Sequence, residues 1–195
     1  MTKNIVEWLI TAAEWAYRLI LLNLLWIAAS LPIVTAFAAT AAVFAVIRQW
    51  LRRKDPGPVM RPFWGFLREN VAASTLGGFA LLCAGTIIAL LYQAMVQVFS
   101  WTALVCLLPA YLIVITGLYL FPAMVHFELT PFGTLRTALL LGITHPLRTL
   151  FLLVVLGSFL VVLLLLPGLI PFLSISGGAL LTLLIIYPIL KKQGE

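Results

Sequence analysis

Apolar residues run through this chain in three long stretches that contain no charged side chain, residues 19–47, 70–127 and 149–190. Every charge falls in the four short clusters between and beyond them. A charge at the middle of the hydrocarbon layer costs about 2.5–3.5 kcal/mol on insertion scales, so a bilayer selects such stretches for its spans. One helical crossing of about 30 Å takes about 20 residues. The run 70–127 therefore predicts two spans with a turn near Phe99-Ser100-Trp101. The run 149–190 predicts two more, divided where Pro167-Gly168, Pro171 and Ser174-Ile175-Ser176-Gly177-Gly178 loosen the helix.

The run 19–47 is too long for one comfortable span and too short for two full ones. Its break lies in Ser30-Leu31-Pro32-Ile33-Val34-Thr35. Pro32 removes a backbone donor and disfavours helix at Leu31, while Thr35 is placed to cap the alanine-rich segment that follows. The pattern predicts a short hairpin. Its first arm is lengthened by the amphipathic stretch Trp8 to Tyr17, and its second reaches Leu51 with Arg48 snorkelling toward the headgroups. The expected fold class is all-α: a polytopic transmembrane helical bundle forming one domain over 1–195. It has six spans, in hairpins near 15–51, 71–126 and 148–190; five spans result if 19–47 is one tilted helix.

Composition sharpens this picture. Hydrophobic residues make up 64% of the chain and charged residues only 9%, where a soluble domain carries about a quarter charged. A water-soluble class is excluded. The net charge is +6, but the basic residues flank apolar runs and form no independent module. Anionic lipid headgroups, not nucleic acid, are the expected charged partner. Between residues 48 and 69, Arg48, Arg52, Arg53, Lys54, Arg61 and Arg68 are opposed only by Asp55 and Glu69. The positive-inside rule places this loop, and both termini with it, in the cytoplasm of a multi-pass plasma-membrane protein. The A-x-A pattern at Ala36-Phe37-Ala38 is not expected to be a signal cleavage site, because Glu7 and Glu14 precede it and apolar sequence continues to Ile47.

Within the loops, Asp55-Pro56-Gly57-Pro58 reads as a turn. Met60 to Asn70, with aromatics between arginines, reads as an interfacial helix or elbow, and a second elbow runs from Pro131 to His145. A short echo links Pro62-Phe63-Trp64-Gly65-Phe66-Leu67-Arg68 to Pro131-Phe132-Gly133-Thr134-Leu135-Arg136. Ala38, Ala42 and Ala45, with the pairs Ala73/Gly77 and Ser74/Gly78, let helices approach closely, either inside one bundle or between copies in a homo-oligomer.

Candidate binding residues fall in two groups. Asn23, Trp26 and Ser30 share a helix face, as do Thr86, Gln93 and Gln97, and Thr35 sits at the first turn. These side chains either line a solute path or make interhelical hydrogen bonds worth about 0.6 kcal/mol each, and the second reading is favoured. Arg18, Arg48, His126, Glu128, Arg136 and His145 gather near the cytoplasmic boundary, where the anchor reading is favoured over that of ligands, and Arg68 of the basic loop joins Arg48, His126, Glu128 and Arg136 as a candidate binding residue. His126-Phe127-Glu128 has no third metal donor nearby, and Cys83 and Cys106 form no CxxC. Without an HExxH, a GxSxG, a phosphate-cradling loop or paired intramembrane carboxylates, no catalytic residue, metal or cofactor is expected, and the protein is not read as an enzyme.

Leu22-Asn23-Leu24-Leu25-Trp26, Ser30 to Thr35 and the following Ala39 to Val46 resemble the opening of the YesL-like family of bacterial membrane proteins of unknown function. Leu120-Phe121-Pro122-Ala123-Met124 and Leu135 to Leu141 are similar to its second half. Where such families often have an Asn in the second elbow, this chain has Thr137-Ala138. The resemblance implies an integral plasma-membrane protein, often encoded beside carbohydrate importers of the ATP-binding-cassette type. From it we expect an accessory or regulatory subunit with importer subunits as partners. The alternative is a small transporter or channel in its own right.

Overall fold

A computed structural model describes residues 2–53, 57–98, 102–127 and 130–193. The described residues form seven α-helices: α1 (Thr2–Ser30), α2 (Ala36–Arg53), α3 (Met60–Val98), α4 (Leu107–His126), α5 (Pro131–Thr144), α6 (Pro146–Leu165) and α7 (Ile170–Gln193). Short 3-10 turns at Ile33–Thr35, Thr102–Cys106 and Pro167–Leu169 lead into α2, α4 and α7. Six stretches among these residues are long and apolar enough to cross a membrane, on α1, α2, α3, α4, α6 and α7. The expected all-α bundle with six spans is what forms. The predicted turns at Asp55-Pro56 and Phe99-Ser100-Trp101 fall wholly or partly outside the described residues.

Residues 19–47 divide where Pro32 was expected to divide them, but Thr35 acts differently from the cap predicted. Its hydroxyl donates backward, to Ala29 O at 2.5 Å and Pro32 O at 2.7 Å, and its backbone N–H donates to Pro32 O at 2.9 Å. The reason is local. A helix end leaves carbonyls without partners, and a proline just beyond α1 has no N–H to offer them. Thr35 therefore closes α1 instead of opening α2.

Helix α2 is the axle of the bundle, packed against α1, α3, α4 and α7. Its alanines 38, 39, 41, 42 and 45 are buried, and these small side chains let the neighbouring backbones come close. Trp26 on α1 donates to Thr40 Oγ1 on α2 at 3.0 Å, and Trp15 meets Trp50 edge to face with ring centroids 5.9 Å apart.

Met60 to Asn70 is no separate surface helix. It forms the opening turns of α3, whose 39 residues reach about 58 Å at 1.5 Å per residue. Phe63 and Leu67 are buried there, so the aromatic-rich stretch serves packing as well as any interface. The first part of α3 runs along α2, with Gly78 so close to Phe37 that a Cβ at 78 would overlap its ring. On another face Gly77 already lies against Leu120 and Met124 of α4, and the second part continues along that helix, with Gly85 beside Ile113 and the Cys106 thiol 3.6 Å from Met95 Sδ.

The second elbow is a helix of its own, α5. Thr130 caps its start by accepting from the Gly133 N–H at 3.3 Å, with Pro131 in the first turn. It folds back along α4, so that Gly142 lies against Ile115. A buried knot fastens this corner. Tyr119 Oη on α4 shares a hydrogen bond of 3.0 Å with Thr149 Oγ1 on α6, and that hydroxyl also reaches Gly142 O and His145 O at 3.2 and 3.1 Å.

Two apolar clusters result, one gathering α1, α2, the start of α3 and α7, the other gathering α4, α5, α6 and α7. Helix α7 belongs to both, through Ala179 and Leu183 in the first and Ile186 in the second.

Candidate functional site

Asn23, Trp26 and Thr35 of the first hairpin are engaged with protein. Asn23 is fully buried; its amide donates to Pro171 O at 2.9 Å and Ser174 Oγ at 3.4 Å, and its carbonyl oxygen accepts from the N–H groups of Ile175 and Ser176 at 3.0 and 3.1 Å. Ile175 is the sixth residue of α7 and stands four residues after Pro171, so Asn23 bridges a backbone pair of that helix, donating to the carbonyl and accepting from the N–H. Trp26 is satisfied by Thr40, whereas the hydroxyls of Ser30 and Ser176 are buried without a partner among the described residues. Of the second stripe, Thr86 turns its hydroxyl back to Leu82 O at 2.9 Å and Gln93 is exposed beside an open apolar groove between α3 and α4. The hydrogen-bond reading of the Asn23 face is the one the geometry supports.

A concave feature with charged lining lies elsewhere, where the end of α2, the early turns of α3 and the last turn of α4 meet. One cleft of about 530 Å³ is lined by Arg48, Gln49, Arg52 and Arg53 of α2, Phe66 of α3 and Val125 of α4. An adjoining cleft of about 400 Å³ shares Ala45, Arg48, Phe66 and Val125 with it and adds Glu69, Asn70, Ala73 and Phe127. Spacing explains the lining. Ala45, Arg48, Gln49 and Arg52 share one face of α2, and Phe66, Glu69, Asn70 and Ala73 share one face of α3. The two faces oppose each other across the gap.

Arg48 stands at the junction of the two clefts. Its Nη1 donates to Val125 O at 2.7 Å. That carbonyl needs an outside donor because α4 ends at His126 and Phe127 turns to extended backbone, leaving the last-turn carbonyls open. Arg52 and Arg53 are exposed at the mouth. Arg48 and Arg52 are like charges four residues apart on a helix, a placement that costs a few tenths of a kcal/mol unless an anion offsets it. A neighbouring cleft of about 500 Å³ extends the basic lining to Arg61, again beside Phe66 and Glu69.

The structure brings few of the sequence-predicted residues together. Asn23, Trp26 and Thr35 belong to the first hairpin, and only Arg48 of the second group lines the cleft. Arg68 and Arg136 are exposed on other faces, and His126 is half-buried with its ring edge to face with Phe127 at 4.9 Å. Glu128 lies outside the described residues. Arg52, Arg53, Gln49, Phe66 and Asn70 were missed as site residues, although the helical repeat Ala45, Arg48, Arg52 carried a signal. Among the described residues no three His, Cys, Asp or Glu side chains gather as metal donors.

Residues 19–92 match the family described as a protein of unknown function, DUF624. The chain is 31% identical to the uncharacterized protein YteU of Bacillus subtilis (strain 168), over 92% of this chain and 83% of that protein. It is 30% identical to the uncharacterized protein YesV of the same organism, over 88% and 86%, and 29% identical to the uncharacterized protein YesL, over 77% and 74%. No solved structure matches.

Proposed function

Because the chain belongs to this YesL-like family of proteins of unknown function, we propose that it is a non-enzymatic accessory or regulatory subunit in the bacterial plasma membrane, associated with carbohydrate importers of the ATP-binding-cassette type. One observation carries the accessory reading: on the face that a solute path would use, Asn23 and Trp26 are bonded to the protein itself, and only the Ser30 hydroxyl of that face is buried without a partner among the described residues. Asn23 holds α7, Trp26 holds Thr40, and Tyr119 and Thr149 hold each other. A bundle closed in this way favours a scaffold over a conduit. The carbohydrate side of the proposal comes from the family resemblance, and the cytoplasmic placement of the arginine-bearing ends of α2 and α3 comes from the positive-inside rule.

The test is affinity purification of tagged protein, at native expression, from mild detergent extracts of native membranes. Importer membrane subunits should be recovered with it in near-constant ratio; recovery of the protein alone overturns the proposal. Proteoliposomes containing only this chain should pass neither sugars nor ions. Flux that falls on Asn23→Leu would replace the accessory reading with that of a small transporter or channel.

A further inference from the structure

We propose that the cleft between α2, α3 and α4 is a binding site for one anionic phospholipid, whose phosphate meets Arg52 and Arg53 and whose upper acyl chain follows Ala45, Phe66, Ala73 and Val125 behind Arg48. This inference is independent of the carbohydrate-uptake proposal and holds or fails without it.

Three observations converge. The first is the chemistry of the mouth: two exposed guanidinium groups stand on adjacent residues, and a third, Arg48, stands one turn deeper on the same helix. Planar guanidinium forks match phosphate oxygens with paired hydrogen bonds, and basic pockets between membrane helices bind anionic headgroups. Among the described lining residues the one carboxylate is Glu69, on the far wall of the adjoining cleft. The second is the lining beyond the arginines. There the adjoining cleft adds the apolar side chains of Ala73, Met124 and Phe127 to Ala45, Phe66 and Val125, beside Glu69 and Asn70, so an acyl chain has apolar wall to follow. A soluble phosphate needs only the arginines; a lipid needs that wall as well. The third is position. All three lining helices carry membrane-crossing stretches and the gap opens at the ends of two of them, where a headgroup resides. Arg48, tied to Val125 O, fixes the spacing of α2 and α4 around the gap and acts as a positioning residue.

The experiment uses the full chain in nanodiscs of phosphatidylcholine doped with phosphatidylglycerol, followed by native mass spectrometry of the released protein. One phosphatidylglycerol should be retained in preference to phosphatidylcholine. R52Q/R53Q should weaken retention on the order of tenfold or more, at about 1 kcal/mol per arginine near the surface. R136Q/R148Q removes the same charge from exposed positions outside the clefts and should retain the lipid. Equal loss in both variants means diffuse attraction and overturns the site, as does unchanged retention in R52Q/R53Q. In discs of phosphatidylcholine alone, inorganic phosphate should not bind measurably. Phosphate binding that depends on Arg52 and Arg53 would reassign the site to a soluble anion and overturn the lipid. Arg52 and Arg53 are exposed, so their variant should fold. Ala73→Leu narrows the adjoining cleft without changing charge and is the second variant; retention untouched by it would overturn the acyl half of the proposal.

Discussion

Helix α2 and the outer part of α3, residues 79–98, are both apolar and both belong to membrane-crossing stretches, yet the less hydrophobic of the two helices is the one enclosed by protein. On α2 the residues from Ala38 to Ile47 are almost all buried. Along the outer part of α3, Phe79, Leu82, Ile87, Leu90 and Val96 stay exposed on successive turns. The difference follows from the solvent. Lipid tails are as apolar as leucine, so hydrophobicity drives a helix into the bilayer without deciding which neighbours it packs against. Side-chain size decides that. Alanine at 38, 39, 41, 42 and 45 lets four helices approach α2, whereas the large residues of outer α3 match a fluid surrounding.

The widest break in that comparison comes from size alone. Ala42→Leu, at a fully buried position, should destabilise the bundle by about 1–3 kcal/mol through overpacking, or leave no folded protein. Sodium dodecyl sulfate titration of the purified protein in mild detergent, followed by tryptophan fluorescence, reads the change. Asn23→Leu should cost about 1–3 kcal/mol in the same titration, because Ile175 and Ser176 lose their acceptor in a buried site; an unchanged midpoint would mean that the α1–α7 clasp carries no stability. Glycines along α3 sharpen the boundary between its two parts. Gly78→Ala should cost about 1 kcal/mol by displacing Phe37, with much of the loss restored in the double variant with Phe37→Ala. Gly85→Ala, whose nearest neighbour is Ile113 at 4.0 Å, should be close to neutral. The smallest effect belongs to the lipid-facing surface, where Leu90→Ala should change stability by less than about 0.5 kcal/mol. A cost for Leu90→Ala equal to that of Ala42→Leu would collapse the distinction.

Much of the fold was legible because it depends on local chemistry. Charge-free runs mark spans, Pro32 marks a break, and the alanine spacing on α2 marks a packed face. Thr35 was misread because a hydroxyl beside a proline can serve the helix before it or the one after it, and α1 had the greater need. The stretch Met60–Asn70 was misread because aromatics between arginines suit an interface and a buried helix start equally well; Phe63 settles it only once α2 is seen beside it. Arg48 was legible as a boundary residue. The cleft was not, since it depends on which faces of α2 and α3 oppose each other, and no residue declares its partner across a gap. The Asn23 clasp was likewise visible as a polar residue in a span, while its partners lie about 150 residues away.

That separation has a consequence for biosynthesis. Asn23 emerges from the ribosome with α1, and the groups that satisfy it, at Pro171 and Ser174 to Ser176, emerge with α7, about 150 residues later. A chain inserted helix by helix carries an unsatisfied carboxamide on α1 until α7 has been made. Arrival of α7 is then the event that shuts the molecule, and a product truncated before it presents an open polar group to the membrane's degradation machinery.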